Sequence, residues 1–285
     1  MPPMRRSVLS VLLLLGGGPA LSQDLLPAPG ALATTRPPAR AARQMIAAAH
    51  PLAAEAGLAV LRRGGAAVDA AIAAQAVLTL VEPQSSGIGG GALMLHWNRE
   101  ARRLDAWDGR ETAPAAATPA LFLRPDGTPL PFYEAVVSGR SVGVPGVLAM
   151  LEAAHRLEGR LPWAELFAEA IRLAEEGFIV SPRLAGQIAA EAGRLRQDPA
   201  AAAYFLAPDG TPWPAGHRLR NPALAATLRR VAEAGARALQ EGPLASAMVA
   251  AVAGHGGAGN GLTEADLAGY AAKRRNPVCA PYREW

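Results

Sequence analysis

Three segments of the chain carry residue types whose spacing could do chemistry. Gly139-Arg-Ser-Val-Gly143 matches G-x-S-x-G, the nucleophile elbow in which a serine sits on a tight strand-to-helix turn. That chemistry needs a helix directly behind Ser141 and a histidine–carboxylate pair to take its proton. Phe132–Val137 could be the extended stretch before it, but Val142–Gly146 intervene before any helix. Val144 precedes a proline and is biased towards extended geometry. The plainer reading makes Ser141–Val144 an extended entry and Pro145 the first helical residue. Asp266, His217 and His255 are available as partners, yet nothing in their surroundings joins them to Ser141.

The second segment, Asp105-Ala-Trp-Asp-Gly-Arg-Glu-Thr-Ala-Pro114, leaves a predicted strand for a loop. Arg110 there is a fixed cation whose planar fork can hold a carboxylate through two parallel hydrogen bonds. Asp108 or Glu111 could equally occupy it as a local salt bridge, and spacing leaves both readings open. The third segment, Pro83–Leu95, holds Gly87, Gly89, Gly90 and Gly91, and Gly87, Gly89 and Ala92 satisfy a loose G-x-G-x-x-[GA]. A phosphate cradle needs a strand before such a run and a helix after it. Here the order is helix, glycines, strand, so the run is expected to give positive φ and close backbone approach where a strand enters the core. The five histidines are isolated, with no H-E-x-x-H pair, and Cys279 is the one thiol. Neither a metal, a cofactor nor an internal disulfide is expected.

The elements that must position these residues follow from periodicity and punctuation. Gln44–Ala49 reads as a short buried strand. Pro51 suits the first turn of a helix running to Arg63, with Gly64-Gly65 as its stop. Ala66–Val81 is apolar nearly all round and should be a buried helix. Ala92–Trp97 and Arg103–Trp107 read as paired strands turning at Asn98–Ala101. Helical patterns then cover Pro145–Leu157, Trp163–Glu176, Pro182–Arg196, Asn221–Ala234 and Gly242–Ala253. Thr263-Glu-Ala-Asp266 resembles a capping box with Asp in place of Glu or Gln, and Pro277–Trp285 reads as the opening of a strand.

Composition narrows the class. The 285 residues are 51% hydrophobic and 18% charged, as in a globular chain long enough for a substantial core. The formal net charge is only +4, and its basic residues form no aromatic-interleaved stripe, which argues against a nucleic-acid partner. Residues 1–22 have the form of an export signal: Arg5 and Arg6, the apolar run Ser7–Leu15, and Ala20-Leu21-Ser22 before Gln23. The apolar run is shorter than the roughly 20 residues of a span, so no stable membrane span is expected. A Pro/Ala-rich linker over 23–43 would lead into a domain over 44–285, exported to the periplasm or secreted.

Several segments together resemble one family, the γ-glutamyltransferases: Gly64-Gly-Ala-Ala-Val-Asp-Ala-Ala71, Pro83-Gln84 with its glycine run, Gly109-Arg-Glu-Thr-Ala-Pro114, Ser141-Val-Gly-Val-Pro-Gly146, Ala174-Glu-Glu-Gly-Phe-Ile-Val-Ser181 and Leu262-Thr-Glu-Ala-Asp-Leu267. Their order and spacing resemble the family's larger, N-terminal subunit across about Gln44–Trp285. The resemblance implies an α/β fold of the α+β type, helix-rich: the N-terminal part of an Ntn-hydrolase αββα sandwich without the small-subunit strands.

It also implies a self-cleaving precursor whose small subunit begins with a nucleophilic threonine, activated by its own α-amine. That threonine attacks a γ-glutamyl amide such as glutathione, and the acyl group passes to water or to an amino acid or peptide. Arg110 matches the arginine that grips the α-carboxylate of the γ-glutamyl group, and Glu111 would support the loop. No cofactor is implied. The threonine motif has no match in this sequence, so a truncated or large-subunit chain, inactive by itself and exposing an apolar face, is expected. The alternatives are a serine hydrolase using Ser141 and a non-catalytic protein that binds carboxylates at Arg110.

Overall fold

The computed structural model describes residues 38–255, 259–281 and 283. The signal over 1–22 and most of the 23–43 linker lie outside the described residues. The chain divides into two units, Met1–Ala42 and Arg43–Trp285; the elements below all belong to the second.

Helix α1 (Pro51–Arg62) starts on a proline, and the His50 side chain accepts the Leu52 N–H at 3.2 Å. Helix α2 (Ala67–Val81) is largely buried, with Val68, Ile72, Val77, Leu80 and Val81 at 1% exposure or less. Each such aliphatic side chain removed from water stabilises the fold by about 1.5–3 kcal/mol. Asp69 in its first turn is fully buried and accepts three backbone N–H groups, from Ala66, Arg160 and Leu161 at 2.8–3.1 Å. Strands β1 (Ala92–Asn98) and β2 (Arg103–Gly109) pair antiparallel, Ala92 opposite Gly109 and Asn98 opposite Arg103, reversing through Arg102 at φ 48°.

The middle of the chain is helical: α3 (Phe132–Val136), α4 (Val147–Glu158), α5 (Ala168–Glu176), α6 (Pro182–Leu195), α7 (Pro199–Phe205), α8 (Pro222–Ala234), α9 (Arg237–Gln240), α10 (Gly242–Gly254) and α11 (Glu264–Ala268). The short strands β3 (Phe178–Ile179) and β4 (Arg218–Leu219) pair between them. Strand β5 (Lys273–Arg275) returns to β2 and completes a three-stranded sheet ordered β1-β2-β5. Helix α2 is the hub of the core, packed by α1, α4 and α5, while α4 also seats against β2. Among the described residues the sheet is covered on that side only. On the other side Leu93, Leu95 and Trp97 are exposed at 70%, 69% and 57%.

Helices α1, α2, α6, α8 and α10 and the β1–β2 hairpin lie where periodicity and caps put them, and Asp266 does close a capping box with Thr263. Several readings need correction. Gln44–Ala49 forms no strand: Met45 is exposed, Ile46 packs on α1, Gln44 donates its side-chain amide to the Leu61 carbonyl of α1 at 2.6 Å, and among the described residues no strand pairs with the segment. Phe132–Val137 is helical over α3, because Pro131 starts a turn whose carbonyl accepts the Ala135 N–H at 3.0 Å. Ser141 lies in a 3-10 turn (Gly139–Ser141), and α4 begins at Val147, after Pro145. Trp163–Glu176 is a 3-10 turn (Trp163–Phe167) followed by α5. Residues 277–281 are not a strand; pairing comes earlier, at β5, and stops before Pro277, which has no N–H for the ladder. Among the described residues no helix is long and apolar enough to cross a membrane.

Candidate functional site

The end of β2 is held at a crossing of three chain segments. The Gly90 carbonyl accepts the N–H groups of Gly146 and Val147, both at 3.0 Å, and so receives the start of α4. The Val144 N–H bonds to the Thr112 carbonyl at 2.9 Å. A side chain at Gly91 would come closer than 3.0 Å to the Glu111 carboxylate and amide. Close approach, expected of the whole glycine run, is thus found at Gly91 alone, since Gly87, Gly89 and Gly90 have room for a Cβ. The accompanying expectation of positive φ is wrong, since none of Gly87, Gly89, Gly90 or Gly91 adopts it. Glu111 packs against Gly90, Gly91 and Gly143, and its Oε2 is buried without a hydrogen bond.

Arg110 projects from this crossing with its side chain 63% exposed. Its Nη1 lies 3.4 Å from Glu111 Oε2, so the local pair read as an alternative is present, on Glu111. A half-open pair of that length is worth about 0–1 kcal/mol and leaves most of the guanidinium free to meet another carboxylate. Asp108 is occupied otherwise. It accepts the Arg110 N–H at 3.0 Å and the Arg275 guanidinium at 2.7 and 3.0 Å. These donors, the Arg110 amide first, hold its carboxyl below the usual range. Tyr270 donates its hydroxyl to the Arg110 carbonyl at 2.7 Å. Burial, then the Asp108 and Glu111 carboxylates, push the Tyr270 pKa up, so it stays a donor. A cavity of about 160 Å³ opens here, lined by Asp108, Arg110, Glu111, Tyr270, Lys273 and Arg275 among others.

Ser141 does not meet the requirements of a nucleophile. Its hydroxyl donates to the Val136 and Ser138 carbonyls at 2.7 and 3.1 Å. His217 is stacked on Trp213, and His255 sits 3.5 Å from Asp198. Asp266 accepts the Ala115 N–H at 2.9 Å and caps α11, and those bonds keep its pKa low.

The histidines are isolated along the sequence, yet the fold brings possible ligand atoms of His96, Asp105 and Glu158 within 4.8 Å of one another. The guanidiniums of Arg103 and Arg274 already bond to Asp105, and Arg103 also reaches Glu158. Two cations there oppose a third, so the cluster reads as an ion-pair network tying β2 to β5 and α4. A roomier cavity of about 440 Å³ lies between α3, α6 and α7, remote in sequence from Arg110. It is mostly apolar, and we assign the site to the smaller cavity because charged groups and a fixed donor converge there. Local sequence marks neither Tyr270 nor Arg275 as a site residue; the signal near them is the capping box just before Tyr270.

The profile described as Gamma-glutamyltranspeptidase matches residues 53–285.

The chain belongs to the γ-glutamyltranspeptidase family.

It corresponds to the N-terminal portion of these Ntn-hydrolase acyltransferases. It is 39% identical over 239 residues to a Glutathione hydrolase proenzyme of Bacillus subtilis (strain 168), covering 84% of this chain and 40% of the relative. It is 38% identical over 255 residues to the Acylase ACY 1 proenzyme of Pseudomonas sp. (strain SE83), covering 86% and 44%. The chain thus spans about two fifths of the length of these curated relatives. Among solved structures, the γ-glutamyltranspeptidase of Helicobacter pylori superposes with a TM-score of 0.82 at 31% identity, over 87% of this chain and 70% of that one. The Bacillus anthracis transpeptidase CapD gives 0.69 at 31%, over 86% and 75%. The mixture of helices and small sheets is therefore a γ-glutamyltranspeptidase fold.

Proposed function

We propose that this chain is the large-subunit portion of an exported γ-glutamyltransferase, which cleaves γ-glutamyl amides such as glutathione and transfers the acyl group to water, amino acids or peptides. The observation that carries the reading is the exposed Arg110 guanidinium, held at the end of β2 over a small charged cavity. A substrate α-carboxylate on that fork gains two parallel charge-assisted bonds and a fixed orientation. The nucleophilic threonine comes from the small subunit of the same precursor. Its hydroxyl forms the ester as the amide C–N bond breaks, its α-amine takes the proton, and the leaving amine receives it. Water or an acceptor amine then attacks the ester and frees the threonine. The proenzyme naming of the Bacillus subtilis relative supports a processed precursor.

In the processed enzyme, Arg110→Ala should raise KM for γ-glutamyl-p-nitroanilide about 10- to 100-fold, the worth of a charged bidentate contact. An unchanged KM would remove Arg110 from the site. The chain without its small subunit should release no nitroaniline; turnover above background would show a nucleophile within this chain. The acylase relative supports a second reading, in which the acyl donor is another amide. Comparing donors with and without an α-carboxylate separates the two, because only the first kind should depend on Arg110.

A further inference from the structure

We infer that Tyr270 is a positioning residue for Arg110, acting through the Arg110 peptide group; this rests on the carboxylate-binding reading of Arg110. A flexible side chain aims reproducibly only when its backbone is fixed, and an arginine in a loop after a strand has no ladder to fix it. Here both polar groups of the Arg110 backbone are taken. Its N–H bonds to Asp108 Oδ1 at 3.0 Å, and its carbonyl accepts the Tyr270 hydroxyl at 2.7 Å. Each partner is itself braced. Asp108 Oδ2 accepts the Arg275 guanidinium from β5. The Tyr270 carbonyl accepts Gln240 Nε2 at 2.8 Å, at the end of α9. The tyrosine tip also lies against Gly146, where an added Cβ would come closer than 3.0 Å to the hydroxyl. Tyr270 thus carries the position of α9, α11 and β5 to a residue 160 places earlier in the chain.

Removing only the hydroxyl leaves the ring packed and frees the Arg110 carbonyl, so the loss should fall on substrate capture. In the processed two-subunit enzyme, Tyr270→Phe should raise KM for γ-glutamyl-p-nitroanilide about fivefold, as for one neutral hydrogen bond, with kcat kept and the thermal midpoint lowered by no more than that one bond. A purely structural tyrosine would instead lower the midpoint and leave KM alone. A fluorinated tyrosine at position 270 keeps the ring and hydroxyl but loses its proton at lower pH. Any alkaline rise in KM should then start at lower pH than in the unmodified enzyme, the facing groups Asp108, Glu111, Arg110, Lys273 and Arg275 being the same in both proteins.

If Arg110→Ala raises KM and Tyr270→Phe does not, the positioning role is wrong while the carboxylate site stands. If neither changes KM, the carboxylate site itself is wrong and the positioning role goes with it. Should Tyr270→Phe fail to fold, the pH shift with the fluorinated residue decides, and an unmoved profile overturns the inference.

Discussion

Gly146 has an ordinary backbone conformation, φ −123° and ψ −20°, which alanine also adopts. What forbids a side chain is its surroundings: an added Cβ would press on the Gly109 carbonyl and the Tyr270 hydroxyl, both closer than 3.0 Å. The first is strand backbone and cannot swing away. Gly146→Ala should therefore cost about 1–3 kcal/mol in urea unfolding, as other overpacked sites do. Gly89→Ala, with nothing within 4 Å of its Cβ, should cost less than about 0.5 kcal/mol. Equal effects at both positions would mean that backbone entropy, and not crowding at the crossing, governs these glycines. The sequence displayed the glycines of both motifs plainly. It could not tell which one faces a carbonyl and which faces open space, since the partners lie far along the chain.

At the scale of elements, caps and apolar periodicity were the legible signals, because they act within one or two turns of chain. Pro51, Pro182 and Pro222 each open a helix where the punctuation placed one, and the side chains of His50, Ser181 and Asn221 cap them. Segments whose state depends on a neighbour were misread. Gln44–Ala49 is mostly apolar, but Ile46 is its one β-branched residue and among the described residues no strand lies beside it, while Phe132–Val137 has aromatic and β-branched residues on a turn that Pro131 starts. Asp69 shows how far such a dependence can reach. Its Oδ2 accepts the N–H groups of Arg160 and Leu161, more than ninety residues away, as well as that of Ala66. Asp69→Ala should destabilise the chain by about 3 kcal/mol or more, since three partly buried donors lose their acceptor. Asp69→Asn, which keeps one acceptor oxygen, should lose less. Matching losses for the two variants in chemical denaturation would show that the charge matters and the hydrogen bonds do not.

At the scale of the molecule, the three-stranded sheet has no internal partner on one side among the described residues. Leu93, Leu95 and Trp97 alternate with inward-facing Met94 and His96 along an edge strand, so one face is apolar, exposed and bordered by unpaired backbone groups. The isolated chain should self-associate with rising concentration, and Leu93→Lys combined with Leu95→Lys should suppress this in sedimentation or light scattering. A wild-type chain that stays monomeric throughout would show that this face is tolerated by water. Local spacing in the sequence is enough for the helices with strong caps and for the hairpin; motif order is enough for the family, and it is the family resemblance that makes Arg110 the carboxylate-binding candidate. Only the tertiary structure decided that Ser141 spends its hydroxyl on two carbonyls, that Glu111 pairs with Arg110, and that Tyr270 and Asp108 clamp the Arg110 peptide. The Tyr270 contact joins residues 160 positions apart, so packing sets it and local sequence carries no mark of it; the others join near neighbours, where the sequence offers several partners and the folded backbone selects one.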